Sequence, residues 1–335
     1  MTQQIRDSIQ IDNDPNRRGR PGRLPARDSS RITRRITAFS IVVGIILIST
    51  KLIVFRESGS IGILSSLVHS ALDFVAALSS FIAVRYAARP PDAKFRFGRG
   101  KAEGFSALLQ VCLIVLGAVH LLEEALTRLT HPQAIAHEGY AVAVMVFAIA
   151  LTTWLLIAQS WAIRATGSLA VRGDRAHYIA DMSANVAVIV GILLASYTNL
   201  LWADALVGFG IALWLFYTAY KVGRLAWSQL MDAELPEKER ALIRDLALKD
   251  KRINGVHDLR TRASGPHVHI QMQLDLDDEL SLHQAHEIVI AAEGRMMEAY
   301  PAADIMIHPH PSGCHQLHGN SVFRQDQCKD HNHAT

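Results

Sequence analysis

The sequence predicts an α-helical membrane bundle of six transmembrane helices, followed by a C-terminal cytoplasmic α+β domain with the element order α-β-β-α-β. Three observations carry that expectation. Six apolar runs fill the first two thirds of the chain, each near the ~20 residues that span about 30 Å of hydrocarbon. Past Asp232 the pattern changes to alternation and short amphipathic stretches, as in a small mixed domain. Two of the apolar runs also carry the same ionisable pair, a histidine followed four residues later by an aspartate. Composition agrees, since 50% of the residues are hydrophobic and the mean hydropathy of +0.17 is unusual for a soluble enzyme of this size.

Residues 1–35 hold nine arginines with Pro, Gly, Asp and Ser. Such a composition cannot bury a core, so the stretch reads as a disordered cytoplasmic arm able to meet anionic lipid heads. It contains no apolar run and hence no cleavable signal. The six spans follow at roughly 36–55, 58–84, 104–122, 139–163, 176–198 and 202–220, within a transmembrane domain of residues 36–224. Asp73 is the one formal charge between Ser58 and Val84, and the fourth run has none between Gly139 and Ile163. Cys112 lies in an apolar run and reads as a small hydrophobe packed there. With Cys314 and Cys328 it makes no disulfide framework.

Orientation follows from lysine and arginine in the connections. One set holds the arm, then Arg85, Arg89, Lys94, Arg96, Arg99 and Lys101, then Arg164, Arg172 and Arg175, then Lys221 and Arg224. The other set has Arg56 and Arg128. The basic set therefore faces the cytoplasm, and six spans put both termini inside. The spans make the lipid bilayer a partner, and no aromatic or fold signature points to nucleic acid.

The soluble domain is expected over residues 232–311. Pro236 opens a short amphipathic helix. His257 to Ala263 reads as a strand, Ser264-Gly265-Pro266 as a turn, and Val268, Ile270, Met272, Leu274 and Leu276 alternate as a half-buried strand. Ser281 caps a helix to Tyr300, and Asp304 to His308 is a last strand. Residues 312–335 form a polar tail with Cys314, His315, His318, Cys328, His331 and His333, which could chelate metal loosely or stay a plain polar tail.

The paired motif carries the chemistry. His69 and Asp73 share one helix face about a turn apart, as do His177 and Asp181. A carboxylate in hydrocarbon costs at least about 2.5 kcal/mol, so two matched pairs are unexpected without a function. Two imidazoles and two carboxylates make a four-ligand set that suits zinc, while Fe2+, Co2+ and Cd2+ remain alternatives because geometry and supply decide selectivity. His177 lies two residues after Arg175. Depth equal to that of His69 therefore requires the fifth helix to begin earlier, with Arg172, Asp174 and Arg175 beyond the core or in a water-filled entrance.

These residues resemble the cation diffusion facilitator family over about residues 36–311. The motifs are the two HxxxD pairs, the run Phe97 to Glu103 at the third span, Leu230-Met231-Asp232 after the sixth, and in the soluble part His257 to Arg262 and Ile305 to His308. The soluble part looks like the bacterial zinc and iron efflux branch. The resemblance implies a homodimeric, proton-coupled exporter in the inner membrane, with a metallochaperone-like cytoplasmic domain and no organic cofactor. It implies that His69, Asp73, His177 and Asp181 hold the transported ion. It implies a cytoplasmic metal set at His257, His286, His308 and His310, with Gln273 where a histidine is usual and His267, His269 and His283 nearby. It also implies that Lys101 and Asp232 form a charge pair near the dimer seam. A second exposed site of the branch would need His where Phe95 and Arg99 follow Asp92, so that site is expected to be absent.

Two other classes compete. An intramembrane zinc protease would need HExxH, which the sequence lacks. A membrane metal sensor would bind metal in the soluble domain without moving it, and the ligand pairs at membrane depth argue against that.

Overall fold

The computed structural model describes residues 20–58, 61–130, 139–198 and 202–312. The polar tail from residue 313 and the first nineteen residues of the arm lie outside the described residues. Six long helices come first: α1 (Ala26–Ser58), α2 (Ile61–Ala87), α3 (Ala102–Thr130), α4 (Gly139–Thr166), α5 (Leu169–Thr198) and α6 (Trp202–Leu230). Then come α7 (Glu237–Ala247), β1 (Gly255–Ser264), β2 (His267–Leu276), α8 (Leu282–Ala299) and β3 (Ala303–Pro311), the predicted α-β-β-α-β order.

Among the described residues, α1, α2, α3, α4 and α6 each contain a window long and apolar enough to cross a membrane. The fifth helix carries Arg172, Asp174, Arg175 and Asp181 and falls outside that set. Its start at Leu169 meets the requirement set by the depth of His177. The bundle is built as membrane bundles are, with small side chains between helices and large apolar ones outward. Ala76, Ala77, Ala107, Ala118, Ala162 and Ala219 are buried, whereas Phe105, Leu116, Trp154, Ile157 and Tyr217 are exposed. Helix α3 packs along α6, and α1 along α2. At Gly173 an added Cβ would come within 3.1 Å of the Ala107 backbone, so α3 and α5 pack closely there and a side chain would push them apart by a few tenths of an ångström. Cys112 sits on the outer surface of α3, not in its packed face. A lipid-facing position accepts the same small apolar side chain, which is why the sequence could not separate the two.

The arm is shorter than its composition suggests, because α1 begins at Ala26. Arg27, Arg31, Arg34 and Arg35 are exposed while Ser29, Thr33, Ile36, Thr37 and Ser40 are buried along one face. The hydroxyls turn back on the helix, with Thr33 Oγ1 donating to the Ser29 carbonyl at 3.0 Å and Thr37 Oγ1 to that of Thr33 at 2.9 Å. A helical face carried by hydroxyl groups has no apolar period to read, and this hid it. Ahead of the helix, Arg23 lies over the Tyr300 ring at 4.1 Å. Gly22 adopts φ 78° there, with Val268 Cγ2 only 2.6 Å from where a Cβ would stand.

By contact, Arg260–Ile270 and Met297–Ile305 group with the helical unit, while Lys238–Leu259, Gln271–Met296 and the chain from Met306 form a second unit. The sheet order is β1-β2-β3. Bonds from Val268 N to Ala302 O and from Ser312 N to Leu276 O make β3 parallel to β2, so α8 serves as the crossover that parallel strands need. The central strand alternates as predicted, with Val268, Ile270, Met272, Leu274 and Leu276 all buried. Ser281 and Gln284 form a reciprocal capping box, Ser281 N donating to Gln284 Oε1 at 3.0 Å and Gln284 N to Ser281 Oγ at 3.3 Å. Arg295 closes the other end of the core by donating to the Leu246 and Ala247 carbonyls at the end of α7.

Candidate metal site in the membrane bundle

The fifth helix can hold charge at its start because the bundle supplies partners. Glu103 of α3 is buried at the α5 N-terminus. Its Oε2 accepts from Ser168 Oγ at 2.6 Å, Leu169 N at 3.1 Å and Ala170 N at 3.4 Å. A carboxylate there takes up free amide donors and suits the positive end of the helix dipole. Asp174 is fully buried, and its Oδ2 accepts from Ser40 Oγ of α1 and Gln159 Nε2 of α4, each at 2.8 Å. Arg175 Nε donates to Ser160 Oγ at 2.9 Å. These three contacts carry the helix into the bundle and set the depth of His177, one turn beyond Asp174.

All four residues of the paired motif come together. His69 Nε2 stands 3.2 Å from Asp181 Oδ1 and 3.8 Å from Asp73 Oδ1. His177 Nε2 stands 3.2 Å from Asp73 Oδ1 and 3.5 Å from Asp181 Oδ2. His69, Asp73 and Asp181 each offer a ligand atom within 4.8 Å of the other two. Each imidazole thus faces both carboxylates, one from its own helix and one from the opposite helix. Asp73 and His177 are buried, while the His69 side chain is 54% exposed and forms the open side. His177 Nδ1 is buried with no hydrogen-bond partner, an orphan that leaves Nε2 as the nitrogen turned to the carboxylates.

The other predicted sets fare differently. His257 and His286 are exposed on β1 and α8, and His308 on β3 is exposed as well. His257 Nε2 lies 2.6 Å from Asp275 Oδ2, and His310 Nδ1 lies 3.1 Å from the Pro311 carbonyl. Among the described residues, no three possible ligands of the soluble domain meet within 4.8 Å in one chain. His269 is buried against Asp304 at 3.0 Å. His267 titrates below the ordinary histidine range because burial and then the nearby His269 disfavour its charge. His283 sits near Glu287 at 3.5 Å, both exposed.

Lys101 and Asp232 do pair, within one chain, at 2.8 Å, and Arg262 joins Asp232 at 3.2 Å. Burial pushes the Asp232 carboxyl up, but Lys101 and Arg262 outweigh it and hold the group below its usual range. In the loop after α2, Arg99 pairs with Asp92 and lies over the Phe95 ring at 4.5 Å. Asp92 Oδ1 also accepts from Lys94 N and Phe95 N. A guanidinium therefore occupies the one acidic group of the loop.

Sequence reading missed Lys51 and Asp174 as parts of this region. Lys51 is the single charge between Ile36 and Phe55, and Asp174 the first acid of the fifth helix. For Lys51 a lone charge inside an apolar run was the available signal, whereas Asp174 stands between Arg172 and Arg175 and offered none of that kind.

A helical bundle that gathers two imidazoles and two carboxylates among its spans is a multi-pass membrane protein built to handle a cation. Comparison with known proteins gives the same class. Residues 37–231 match the family model for a cation efflux transmembrane domain, and residues 235–312 match that for a cation efflux protein cytoplasmic domain. The chain belongs to the cation diffusion facilitator family, whose members are transporters and not enzymes. It is 36% identical over 284 residues to a cation-efflux pump FieF of Cronobacter sakazakii, covering 85% of this chain and 94% of the relative. It is 35% identical over 282 residues to the pump of that name in Serratia proteamaculans, covering 84% and 94%.

Proposed function

We propose that the protein exports divalent metal, zinc above all, from the cytoplasm in exchange for protons, and that His69, Asp73, His177 and Asp181 bind the transported ion. The observation that carries this is the convergence of the four side chains from α2 and α5 inside the bundle. Imidazole and carboxylate are the donors a borderline divalent ion takes, and none of the four is a thiolate. Coupling follows from chemistry, because the ligands must be free of protons to bind metal and so release protons on loading. An external proton excess then displaces the ion, and the cytoplasm reloads the site. Alternating access is a rearrangement between two states that metal and protons bias in opposite directions.

The working unit is a homodimer in the inner membrane with both termini in the cytoplasm. The match of residues 235–312 to the family's cytoplasmic domain supports the soluble end as the dimer contact, and the basic connections support the orientation. Lys101 and Asp232 sit near the dimer seam. His257, His286, His308 and His310 hold a second metal in the soluble domain with ligands from both protomers. The test of the central reading is zinc flux into proteoliposomes with an imposed pH gradient. Wild type moves zinc and the Asp181→Ala protein does not; equal flux in both would overturn the assignment.

A further inference from the structure

Two carboxylates that face one another in a low-dielectric bundle are offset by protons once the ion is displaced, but they need another positive charge after those protons leave and before the next ion binds. The four ligands do not supply a fixed one. Lys51 of α1 does. Its Nζ donates to Ser70 Oγ at 2.6 Å, and Ser70, directly after the ligand His69, is 1% exposed. A lysine at membrane depth is costly and marks a partner nearby. Ser70 follows His69 and stands three residues before Asp73 on α2, so the bond holds the ammonium beside the α2 half of the ligand set.

We infer that Lys51 is the resident counter-cation of the metal-free transport site, a positioning residue that makes release of the ion possible. The inference rests on the proposed transport site. The hydroxyl of Ser70 keeps the ammonium beside the ligands and out of the ligand positions. A compact point charge on a flexible stem suits this role, since it can approach the carboxylates as the ion departs and retreat as it arrives. Its charge works against a bound divalent ion and offsets the two carboxylates of the empty site. A carrier has to bind its ion and also let it go, and without Lys51 this site holds on too well.

The test uses full-length protein with Lys51→Met, Lys51→Gln and Lys51→Arg. Gln keeps a donor for Ser70 without the charge, and Arg keeps the charge. Zinc binding is measured at pH 8 by calorimetry, and flux in proteoliposomes. Met and Gln should tighten the zinc Kd about tenfold, from the removed repulsion of a nearby like charge. They should lower KM and kcat together, and Arg should behave as wild type. If Lys51 only ties α1 to α2, Gln and Arg will behave alike. That result, or an unchanged or weaker Kd in the Gln protein, overturns the inference, and the Gln protein decides if the Met protein does not fold. Asp181→Ala in the same series keeps the two readings apart. The soluble-domain site is present in every variant, so an isotherm that Asp181→Ala leaves unchanged removes the transport site itself, whereas loss of one binding component there with unaltered Lys51 variants removes only the role of Lys51.

Discussion

The protein carries two sets of four candidate ligands, and they behave in opposite ways. In the bundle, His69, Asp73, His177 and Asp181 meet within one chain. In the soluble domain, His257, His286 and His308 point into solvent from three different elements. The difference is one of solvent. Inside a membrane every polar group needs a partner from the protein, so an ionisable residue there is already evidence of where others lie. On a wetted surface, water satisfies an imidazole, and a histidine's place in the sequence says nothing about its neighbours. Sixteen histidines in the chain then make coincidence easy.

The largest effect that would break this contrast concerns the bundle. Asp181→Ala removes one of two carboxylates facing both imidazoles, and proton-driven zinc flux should fall to the level of empty vesicles. The protein should remain a folded dimer by size-exclusion chromatography. Flux near wild type would put the four bundle residues on the same footing as the soluble four.

Next in size is the support beneath the site. Glu103 accepts from Ser168 and from two amides at the start of α5. Glu103→Ala leaves buried donors unpaired, each worth about 1–3 kcal/mol. Its melting temperature in detergent should drop by several degrees, and zinc affinity should weaken as His177 loses its set depth. If binding is untouched while the melting point drops, the cap stabilises the helix without positioning the ligand.

How much of this was legible follows the same division. The repeated HxxxD spacing was enough to single out four side chains that the structure brings together, because a helix fixes which side chains share a face. The soluble element order was legible from alternation and turn residues, down to the Ser281 cap. The early start of α1 was hidden, since Ser29, Thr33, Thr37 and Ser40 form its inner face with hydroxyls in place of apolar groups. The partners of Asp174 were also out of reach. Ser40, Gln159 and Asp174 come from three helices, and no local spacing ties them together.

A smaller effect would sharpen the contrast at the level of ion choice. His69 is the exposed member of the set, so a change there alters ligand chemistry with little repacking. His69→Asp makes the site harder and more anionic, which should broaden transport to cadmium. The cadmium-to-zinc flux ratio should rise severalfold. An unchanged ratio would mean that the second imidazole does not set selectivity.

The smallest expected effect is in the soluble domain, and it tests the contrast from the other side. If His257, His286, His308 and His310 bind metal, the ligands must be completed by a second protomer, because one chain does not bring three of them together. Zinc that binds only the folded dimer stabilises it by about 2.7 kcal/mol at a hundredfold excess over Kd. The transport site would mask that gain, so the measurement belongs in the Asp181→Ala background. There, zinc should still raise the melting temperature by a few degrees, and adding His286→Ala with His308→Ala should abolish the rise. Gln273 stands where the resemblance places a histidine, and it sets the scale of the effect, since an amide is a poor zinc ligand. Restoring the imidazole with Gln273→His should enlarge the zinc-dependent shift. Equal shifts with and without His286 and His308 would show that other histidines take up the metal. A shift absent from the Asp181→Ala protein and from its Gln273→His derivative would leave the bundle as the chain's one metal site.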